Sequence, residues 1–443
     1  GFDALKAATT ADNNVAIGRL AGTGLTTGGS NTIVGAAAMQ TNSTGVGNVA
    51  IGISALAVAQ GSDNVAVGRT SGDAVTTGAN NVLMGTDAGG SLTTGGNNVS
   101  IGKDSLSQQT EAANNTAVGY KAGSGNTSGF YFTAIGAYAG ENHTTGEGNT
   151  VVGYEAGHDL TTGGGNVAFG FRSLDGNSTG SSNVAIGNNA LGGASNSANH
   201  NLAVGVSAGV AITTGTQNTY IGNFCGDGAS AGNNNVGVGY ETFSAAATTG
   251  GNNTAIGVGS GSTITTGMAN TFLGYNNNAS AATVSNEIVV GSNGTGAGAN
   301  TARFQTSAGA CTINIDGSDT SWAATSDERL KKDVADSTVG LSFINELRPV
   351  TFKWNVKNAV AKTLPQYDAD SSDPVYGEGK AHHGFIAQEV KAVIDSNSDV
   401  VDGHNIWHED PDGTQQIAPS ALVPMLVKAV QELSAEIKTL KGG

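Results

Sequence analysis

The chain has 443 residues and a formal net charge of −16, which is too long for one compact core, so two or more domains are expected. Its 69 glycines come with only 6 prolines and 38% hydrophobic residues, which favours a repetitive β structure over a disordered chain. The sequence has no basic stripe, so nucleic-acid binding is not expected. An acidic surface would repel anionic membranes, and no apolar run is long enough for a transmembrane helix.

A short motif, Asn-x-Val-x-Ile-Gly, recurs along the first two thirds of the chain. The glycine that closes each copy is a landmark, and the spacing between successive landmarks is 17, with one spacing of 16 and two of 18. The landmark glycines are residues 18, 35, 52, 68, 85, 102, 119, 136, 153, 170, 187, 205, 222, 239, 257, 274 and 291. Gly1 lies one full period before Gly18, so the first residue falls inside a repeat and we expect native sequence to precede it.

Each repeat predicts one coil of a parallel β-solenoid or β-roll. The segment 13–18 alternates polar or small residues with apolar ones, which is typical of a short strand with one buried face. The landmark glycine permits a tight bend, and the segment 26–28, Thr-Thr-Gly, indicates a turn. A stack of 17 coils would extend roughly 80 Å. We expect the asparagines before the strands to form side-chain ladders between coils.

One coil contributes few large apolar residues, of which Val15, Ile17 and Leu20 are typical. Coils this thin are poorly stabilised alone, so association of chains around an axis, as in a trimer, is expected to bury more surface. Over about residues 1–291 the repeats resemble the head repeats of trimeric autotransporter adhesins, and phage tail fibres carry similar repeats. The resemblance implies a mainly β fold, a trimeric β-roll.

Several aromatic residues directly follow a landmark glycine. They form either an exposed stripe for sugars or stacking contacts between coils or chains, and stacking is the more common role. These residues are Tyr120, Tyr154, Phe171, Tyr240 and Tyr275. The segment Gly-Phe-Tyr-Phe at 129–132 interrupts the usual turn and is the best local candidate for a contact loop.

The histidines and cysteines of the repeats predict no metal site and no cofactor. His143, His158 and His200 are isolated in the sequence and are interpreted as surface residues. Cys225 and Cys311 are interpreted as small buried thiols, since neither a disulfide framework nor a zinc motif is present. No pair of acidic residues stands out for glycoside hydrolysis, which disfavours a polysaccharide-degrading enzyme.

The repeat period ends near residue 300. Residues 292–325 carry strand-like patches and are interpreted as a β neck, whereas residues 326–443 are more charged and predict a mixed α/β module. Helical spacing follows a predicted cap at Ser337 and stops at Pro349. A strand, a second helix with Ile386 on its apolar side, and a hairpin are expected to follow, with the neighbouring histidines in structural roles.

The last predicted helix covers about residues 420–440. Its apolar residues step by 4, 3, 4 and 3, which is the a/d pattern of a coiled coil. This seam consists of Leu426, Val430, Leu433, Ile437 and Leu440. It packs either on partner helices, in agreement with a trimer, or on its own domain.

Several blocks in order, among them SDERLKKDV, LSFINELRPVTFKW, HHGFIAQEVKAVI and the last helix, carry a second resemblance. Over about residues 326–440 the chain resembles the intramolecular chaperone of phage tailspikes and fibres, the S74 peptidase family. The resemblance implies a trimer that registers three chains while the upstream fibre folds, and that then cuts itself off. It places a nucleophile at Ser326, its lysine at Lys331 and the cut between Thr325 and Ser326. We expect Asp327, Arg329, Gln388 and Glu389 to support the site.

The chemistry of such a dyad sets two requirements. A serine hydroxyl needs a base, and a lysine amine serves only when it is neutral, which burial or nearby cations such as Arg329 and Lys332 favour. Residues five apart do not share a helical face, so a turn or a neighbouring chain must bring Lys331 to Ser326. Judged by the local motif alone, this segment is instead a solvated charged turn at a domain boundary.

The sequence therefore predicts a trimeric phage-type fibre with a self-cleaving chaperone at its end, acting on itself once rather than as a turnover enzyme. The expected partners are further copies of the chain, a glycan or protein of the host-cell surface, and other virion tail proteins upstream. The expected location is the virion tail, outside the cell when acting. The alternatives are an adhesin whose terminal module trimerises without cutting, and a polysaccharide-degrading tailspike. No cofactor, metal, nucleic acid or membrane insertion is expected.

Overall fold

A computed structural model describes residues 1–193, 197–245, 248–306, 309–316, 323–324, 331–362, 364, 366–376, 379–400, 406–410 and 413–442. The chain forms two compact units, Gly1–Thr325 and Ser326–Gly443. Among the helices of these described residues, none combines the length and the apolar character that crossing a membrane requires.

The first unit is a mainly β solenoid in which one short strand from each repeat stacks on the next, so the predicted fold class is confirmed. Strands β1 to β18 pair in parallel and in chain order. Their bounds are β1 Val15–Ile17, β2 Thr32–Val34, β3 Val49–Ile51, β4 Val65–Val67, β5 Val82–Met84, β6 Val99–Ile101, β7 Thr116–Val118, β8 Thr133–Ile135, β9 Thr150–Val152, β10 Val167–Phe169, β11 Val184–Ile186, β12 Leu202–Val204, β13 Thr219–Ile221, β14 Val236–Val238, β15 Thr254–Ile256, β16 Thr271–Tyr275, β17 Glu287–Ser292 and β18 Thr301–Thr306.

The strands keep their register where the repeat length changes. Val184 pairs with Leu202 across a repeat that is longer than the usual one, so the extra residue is accommodated in the turns. The landmark glycines are required by the close approach of neighbouring coils. Gly52 has a φ of 142°, and a Cβ atom on it would overlap the carbonyl oxygen of Gly68. A side chain does not fit there, so only glycine allows this stacking.

Each strand points its middle residue into the coil and its two flanking residues outward. The middle residues are mostly small, as with Ala50 and Ala185, both fully buried. The flanking residues are larger, and Val15 and Ile17 are 49% and 60% exposed. The predicted alternation of buried and outward residues is present. Within a single chain, the buried face is the one that carries the small middle residues, and the larger flanking residues face outward. A single turn of chain encloses too little space for large side chains from both faces.

The asparagine before each strand forms the predicted ladder inside the solenoid. The Nδ2 atom of Asn166 donates to Oδ1 of Asn149 at 3.1 Å and to the carbonyl oxygen of Gly180 at 2.9 Å. Its Oδ1 accepts from the backbone N–H of Asn183 at 2.9 Å and from that residue's Nδ2 at 3.1 Å. The buried amide is therefore fully bonded without water. The ladder runs through Asn14, Asn31, Asn48, Asn64, Asn81, Asn98, Asn115, Asn149, Asn166, Asn183, Asn201, Asn218, Asn235, Asn253 and Asn270.

The ladder is interrupted once, at Phe132, and His143 fills the gap. Phe132 is buried and its N–H donates to Oδ1 of Asn115 at 2.8 Å. The His143 ring stacks on the Phe132 ring at 4.1 Å, and its Nε2 accepts from Nδ2 of Asn149 at 3.2 Å. Burial lowers the pKa of His143 from 6.5 to about 4, so the ring is neutral and able to accept. The interpretation of His143 as a surface residue was wrong.

The solenoid sheet continues into the predicted neck. Strand β18 still pairs in parallel with β17, whereas β19, Gly309–Asn314, is antiparallel to β18, and β20, Ala323–Ala324, is antiparallel to β19. At the last position of the ladder, a buried glutamate, Glu287, replaces asparagine. Its carboxylate accepts from the N–H of Ser280 at 3.0 Å and from that of Gly298 at 2.8 Å.

The second unit has a small core of its own. Its elements are α1 Leu341–Glu346, β21 Val350–Phe352, β22 His382–Gly384, α2 Ala387–Ser396, β23 Trp407–Glu409, β24 Gln415–Ile417 and α3 Val423–Gly442. Strands β21 and β22 form one antiparallel pair, and β23 and β24 form the expected hairpin. Phe343 of α1 packs with Val390 and Ile394 of α2 and with Leu422. Helix α1 begins after Gly340 rather than at the predicted cap Ser337.

Candidate functional sites

The predicted cleavage segment is described only from Lys331 onward. Thr325, Ser326, Asp327 and Arg329 lie outside the described residues, so the serine–lysine dyad stays a prediction. Lys331 is exposed.

The two predicted supporting residues of α2 have different surroundings. Glu389 accepts two hydrogen bonds from the Arg348 guanidinium, one of them from Nε at 2.9 Å, and this contact lowers the pKa of the Glu389 carboxyl. The pair ties the segment after α1 to the first turn of α2. Gln388 lines a cavity of about 750 Å³ together with Trp354 and Tyr376. Because Ser326 lies outside the described residues, the supporting role of Gln388 and Glu389 stays a prediction.

Helix α3 packs on its own unit with one side and leaves the predicted seam in solvent. On the packed side Ala429 is buried, and a carboxylate oxygen of Glu432 accepts from the N–H of Leu341 at 2.8 Å. All five seam residues are exposed, with fractions of 41% to 81%. They are Leu426, Val430, Leu433, Ile437 and Leu440. The interpretation that the seam packs on its own domain is wrong for a single chain.

The outward positions of the solenoid strands form a long apolar face. Across strands β1 to β15, the outward residues are valine, isoleucine, threonine, leucine, methionine or phenylalanine, without one charged side chain. The next column along each coil, directly after the landmark glycine, has a different character. It carries charged residues such as Arg19, Arg69 and Lys103, together with the predicted aromatics. The strand face is therefore free of charge, whereas the adjacent column mixes charged and aromatic residues with aliphatic ones such as Ile53 and Val258.

Four rings in neighbouring coils form an exposed aromatic column. Tyr120 and Tyr138 have ring centroids 5.2 Å apart, Tyr138 and Tyr154 are 5.8 Å apart, and Tyr154 stacks on Phe171 at 5.5 Å. Tyr120, Tyr154 and Phe171 remain 39%, 44% and 47% exposed. The rings therefore stack between coils and also present a surface. In the predicted contact loop, residues 129–132, the Tyr131 side chain is 64% exposed.

His158 is surrounded by carboxylates, although it is isolated in the sequence. Its Nδ1 lies 2.8 Å from Oδ1 of Asp159 and 3.9 Å from Oδ1 of Asp175, and its Nε2 lies 3.3 Å from Oε2 of Glu141. Burial is the main cause of a raised pKa at the Asp175 carboxyl. The signal in the sequence was the period, because residues 141, 158 and 175 follow one another at the repeat spacing and therefore share one column.

The comparison with protein families finds a match in the second unit. Residues 326–399 match the Peptidase S74 family, described as the chaperone of endosialidase. The chain carries an S74 chaperone domain. Ser326, Lys331, Gln388 and Glu389 all fall inside the matched part of this domain, whereas helix α3 and its seam follow it. No curated protein and no solved structure matches the chain.

Proposed function

We propose that this protein is a trimeric fibre whose S74 domain assists the assembly of the β-solenoid and is then released by one cut between Thr325 and Ser326. The main support is a coincidence of boundaries. The family match begins at Ser326, and the division between the two compact units falls between the same two residues. A cut at this bond separates the solenoid from its helper without removing any strand of the solenoid.

The proposed cut is an intramolecular acyl transfer followed by hydrolysis. The Ser326 hydroxyl attacks the carbonyl carbon of Thr325 while its proton moves to the neutral Lys331 amine. The C–N bond breaks, the Ser326 nitrogen takes up a proton, and an ester joins the Thr325 carbonyl to Ser326 Oγ. Water then hydrolyses this ester, which gives a carboxylate on Thr325 and restores the Ser326 hydroxyl.

Two uncovered apolar surfaces support a trimer. Parallel sheets are normally covered on both faces, yet the outward strand face stays open in a single chain, as at Ile186 and Ile221, which are 40% and 38% exposed. The α3 seam is the second such surface, and its a/d spacing fits a bundle of helices. In a trimer, each of these surfaces is covered by the equivalent surfaces of the two other chains.

The cleavage proposal is tested by expressing the chain and determining the mass and first residue of each product. We expect a fragment that begins at Ser326. Substitution of the dyad, Ser326→Ala or Lys331→Ala, abolishes this fragment, whereas Lys362→Ala, at an exposed lysine elsewhere in the same unit, keeps it. A full-length product from the unmutated chain under folding conditions would overturn the cut and leave an adhesin with a trimerisation module.

For attachment to a host surface, we propose the aromatic column as the contact. Exposed rings beside charged groups combine apolar contact with hydrogen bonding, which suits a surface glycan or protein. We expect the double change Tyr154→Ala and Phe171→Ala to reduce fibre binding to host cells at least tenfold. Tyr240→Ala, at a ring that also follows a landmark glycine but lies outside the four rings of the aromatic column, is the matched control. Equal binding by all three fibres would place attachment elsewhere.

A further inference from the structure

The carboxylate cluster around His158 has the donor set of a metal site. His158 Nδ1 and one oxygen each of Asp159 and Asp175 lie within 4.8 Å of one another. A zinc ion bonded at about 2.0–2.2 Å to three such atoms at tetrahedral angles holds them roughly 3.4 Å apart. His158 Nδ1 lies 2.8 Å from Asp159 and 3.9 Å from Asp175, so small shifts of the two carboxylates bring them to this spacing. The Asp159 side chain is 53% exposed and has the freedom to shift.

The groups behind these three ligands are arranged to orient them. His158 directs Nε2 toward Oε2 of Glu141 at 3.3 Å, and its Nδ1 is hydrogen-bonded to Oδ1 of Asp159 at 2.8 Å. A metal ion on Nδ1 would replace the hydrogen of the second contact, with the ring hydrogen kept on Nε2 toward Glu141. Glu141 is itself held by Nζ of Lys121, 2.8 Å from its other oxygen. This is the carboxylate–histidine pairing that supports histidine ligands in metal proteins.

The two aspartates are oriented in a similar way. Arg172 Nε lies 3.0 Å from Oδ2 of Asp175, which leaves Oδ1 facing His158. Asn142 donates to Oδ1 of Asp159 at 3.1 Å. Four carboxylates, those of Glu141, Glu155, Asp159 and Asp175, face only two cations, Lys121 and Arg172, so the cluster keeps an excess of negative charge among the described residues.

We propose that His158, Asp159 and Asp175 bind one divalent transition-metal ion, with zinc as the expected ion. An imidazole nitrogen among the ligands favours zinc over calcium or magnesium, which prefer oxygen ligands alone. The ion joins the coil that carries His158 and Asp159 to the following coil, which carries Asp175. The ion therefore cross-links two successive coils of the solenoid beside the aromatic column.

The test is zinc binding to the full chain at pH 7.5, measured as metal per chain after dialysis and by titration with zinc chloride. We expect the amount of bound zinc to fall by one ion per chain in His158→Gln and to stay unchanged in His200→Gln, the matched control at an exposed histidine. Glu141→Gln keeps the stoichiometry but weakens affinity about 10- to 100-fold, since it removes only the supporting carboxylate. Excess calcium chloride does not displace the ion.

A second measurement uses the unmutated chain, so it does not depend on the folding of a variant. Zinc protects His158 from carbethoxylation, read by peptide mass, while His200 reacts equally with and without zinc. The proposal is overturned if His158 reacts equally in zinc, or if His158→Gln folds and binds as much zinc as the unmutated chain. In that case His158 contacts the surrounding carboxylates through hydrogen bonds alone.

Discussion

The solenoid and the second unit differ in how far apart in the sequence their contacting residues lie. In the solenoid, contacts join residues one repeat apart, and the same asparagine ladder continues from coil to coil. In the second unit, which contains the S74 domain, one core gathers residues as distant as Phe343 and Leu422. A repeat of this kind can begin to fold at any coil, because each coil needs only its neighbours.

This difference gives a physical reason why the proposed fibre of near-identical repeats would need a helper. Three solenoids that meet through apolar outward faces fit almost equally well when one chain is shifted by a coil, so their register is weakly specified. The second unit has one core and one exposed seam per chain. In the proposed assembly, bringing three such units together would fix a single register before the solenoids associate.

The largest expected effect comes from removing the helper. A chain that ends at Thr325 is expected to lose the uniform trimer, because nothing sets the register of its three solenoids. Size-exclusion chromatography with light scattering would show a spread of masses or aggregation. A single sharp trimer from this shortened chain would contradict the register argument.

A charge on the outward strand face is expected to have the next largest effect. Ile186→Lys places an ammonium group on a surface that the proposed trimer buries, and an unpaired buried charge is strongly destabilising. Asn188→Lys is the matched control, since Asn188 lies just beyond the strand on the same coil. We expect the first variant to lose the trimer and the second to keep it. Equal masses for both would remove the strand face from the interface.

Features that depend on contacts between residues close in the sequence, or one repeat apart, could be predicted from the sequence, whereas features that depend on more distant contacts could not. The spacing of the landmark glycines predicted the coil, and the asparagines predicted the ladder. The sequence did not predict which face of each strand is buried within one chain. Ala16 alternates with Val15 and Ile17, and this pattern is the same whether the small or the large residues face inward. The helices and the hairpin of the S74 domain followed from local patterns. Its cavity did not, because residues distant in the chain line it.

The environment of His143 was readable but was missed. It lies one repeat after Asn126 and one repeat before Leu160, and both of these are buried. Aligning the repeats by column, rather than judging each histidine by its neighbours in sequence, places His143 inside the coil. The same alignment brings His158 beside Asp175.

The third prediction concerns pH. The folded chain holds the pKa of His143 at about 4, below its ordinary value of 6.5, so the unfolded chain binds a proton that the folded chain does not. This contribution to stability is complete above about pH 6.5 and is lost as the pH falls toward 4, by on the order of 3 kcal/mol. His143→Asn, which copies Asn126 of the preceding coil, is expected to lose less stability between pH 7.5 and pH 4.5. Urea unfolding measures both, and identical losses would contradict the assignment.

The smallest expected effect tests the ladder. Asn166→Ala removes the side chain that bonds to both neighbouring ladder amides and to Gly180, so we expect it to cost about 1–3 kcal/mol of unfolding free energy. Asn233→Ala, the control, removes an exposed amide that accepts from the N–H of Thr216 at 2.7 Å. Its expected cost is below about 1 kcal/mol. Equal costs would show that ladder bonds gain nothing from burial.

The most direct test of assembly followed by release is native mass spectrometry of the purified fibre, with a denatured sample beside it. We expect an assembly of three copies of residues 1–325, and the denatured sample gives the same fragment rather than the full chain of 43.8 kDa. A single uncut chain in the native spectrum would contradict both the trimer and the release of its S74 domain.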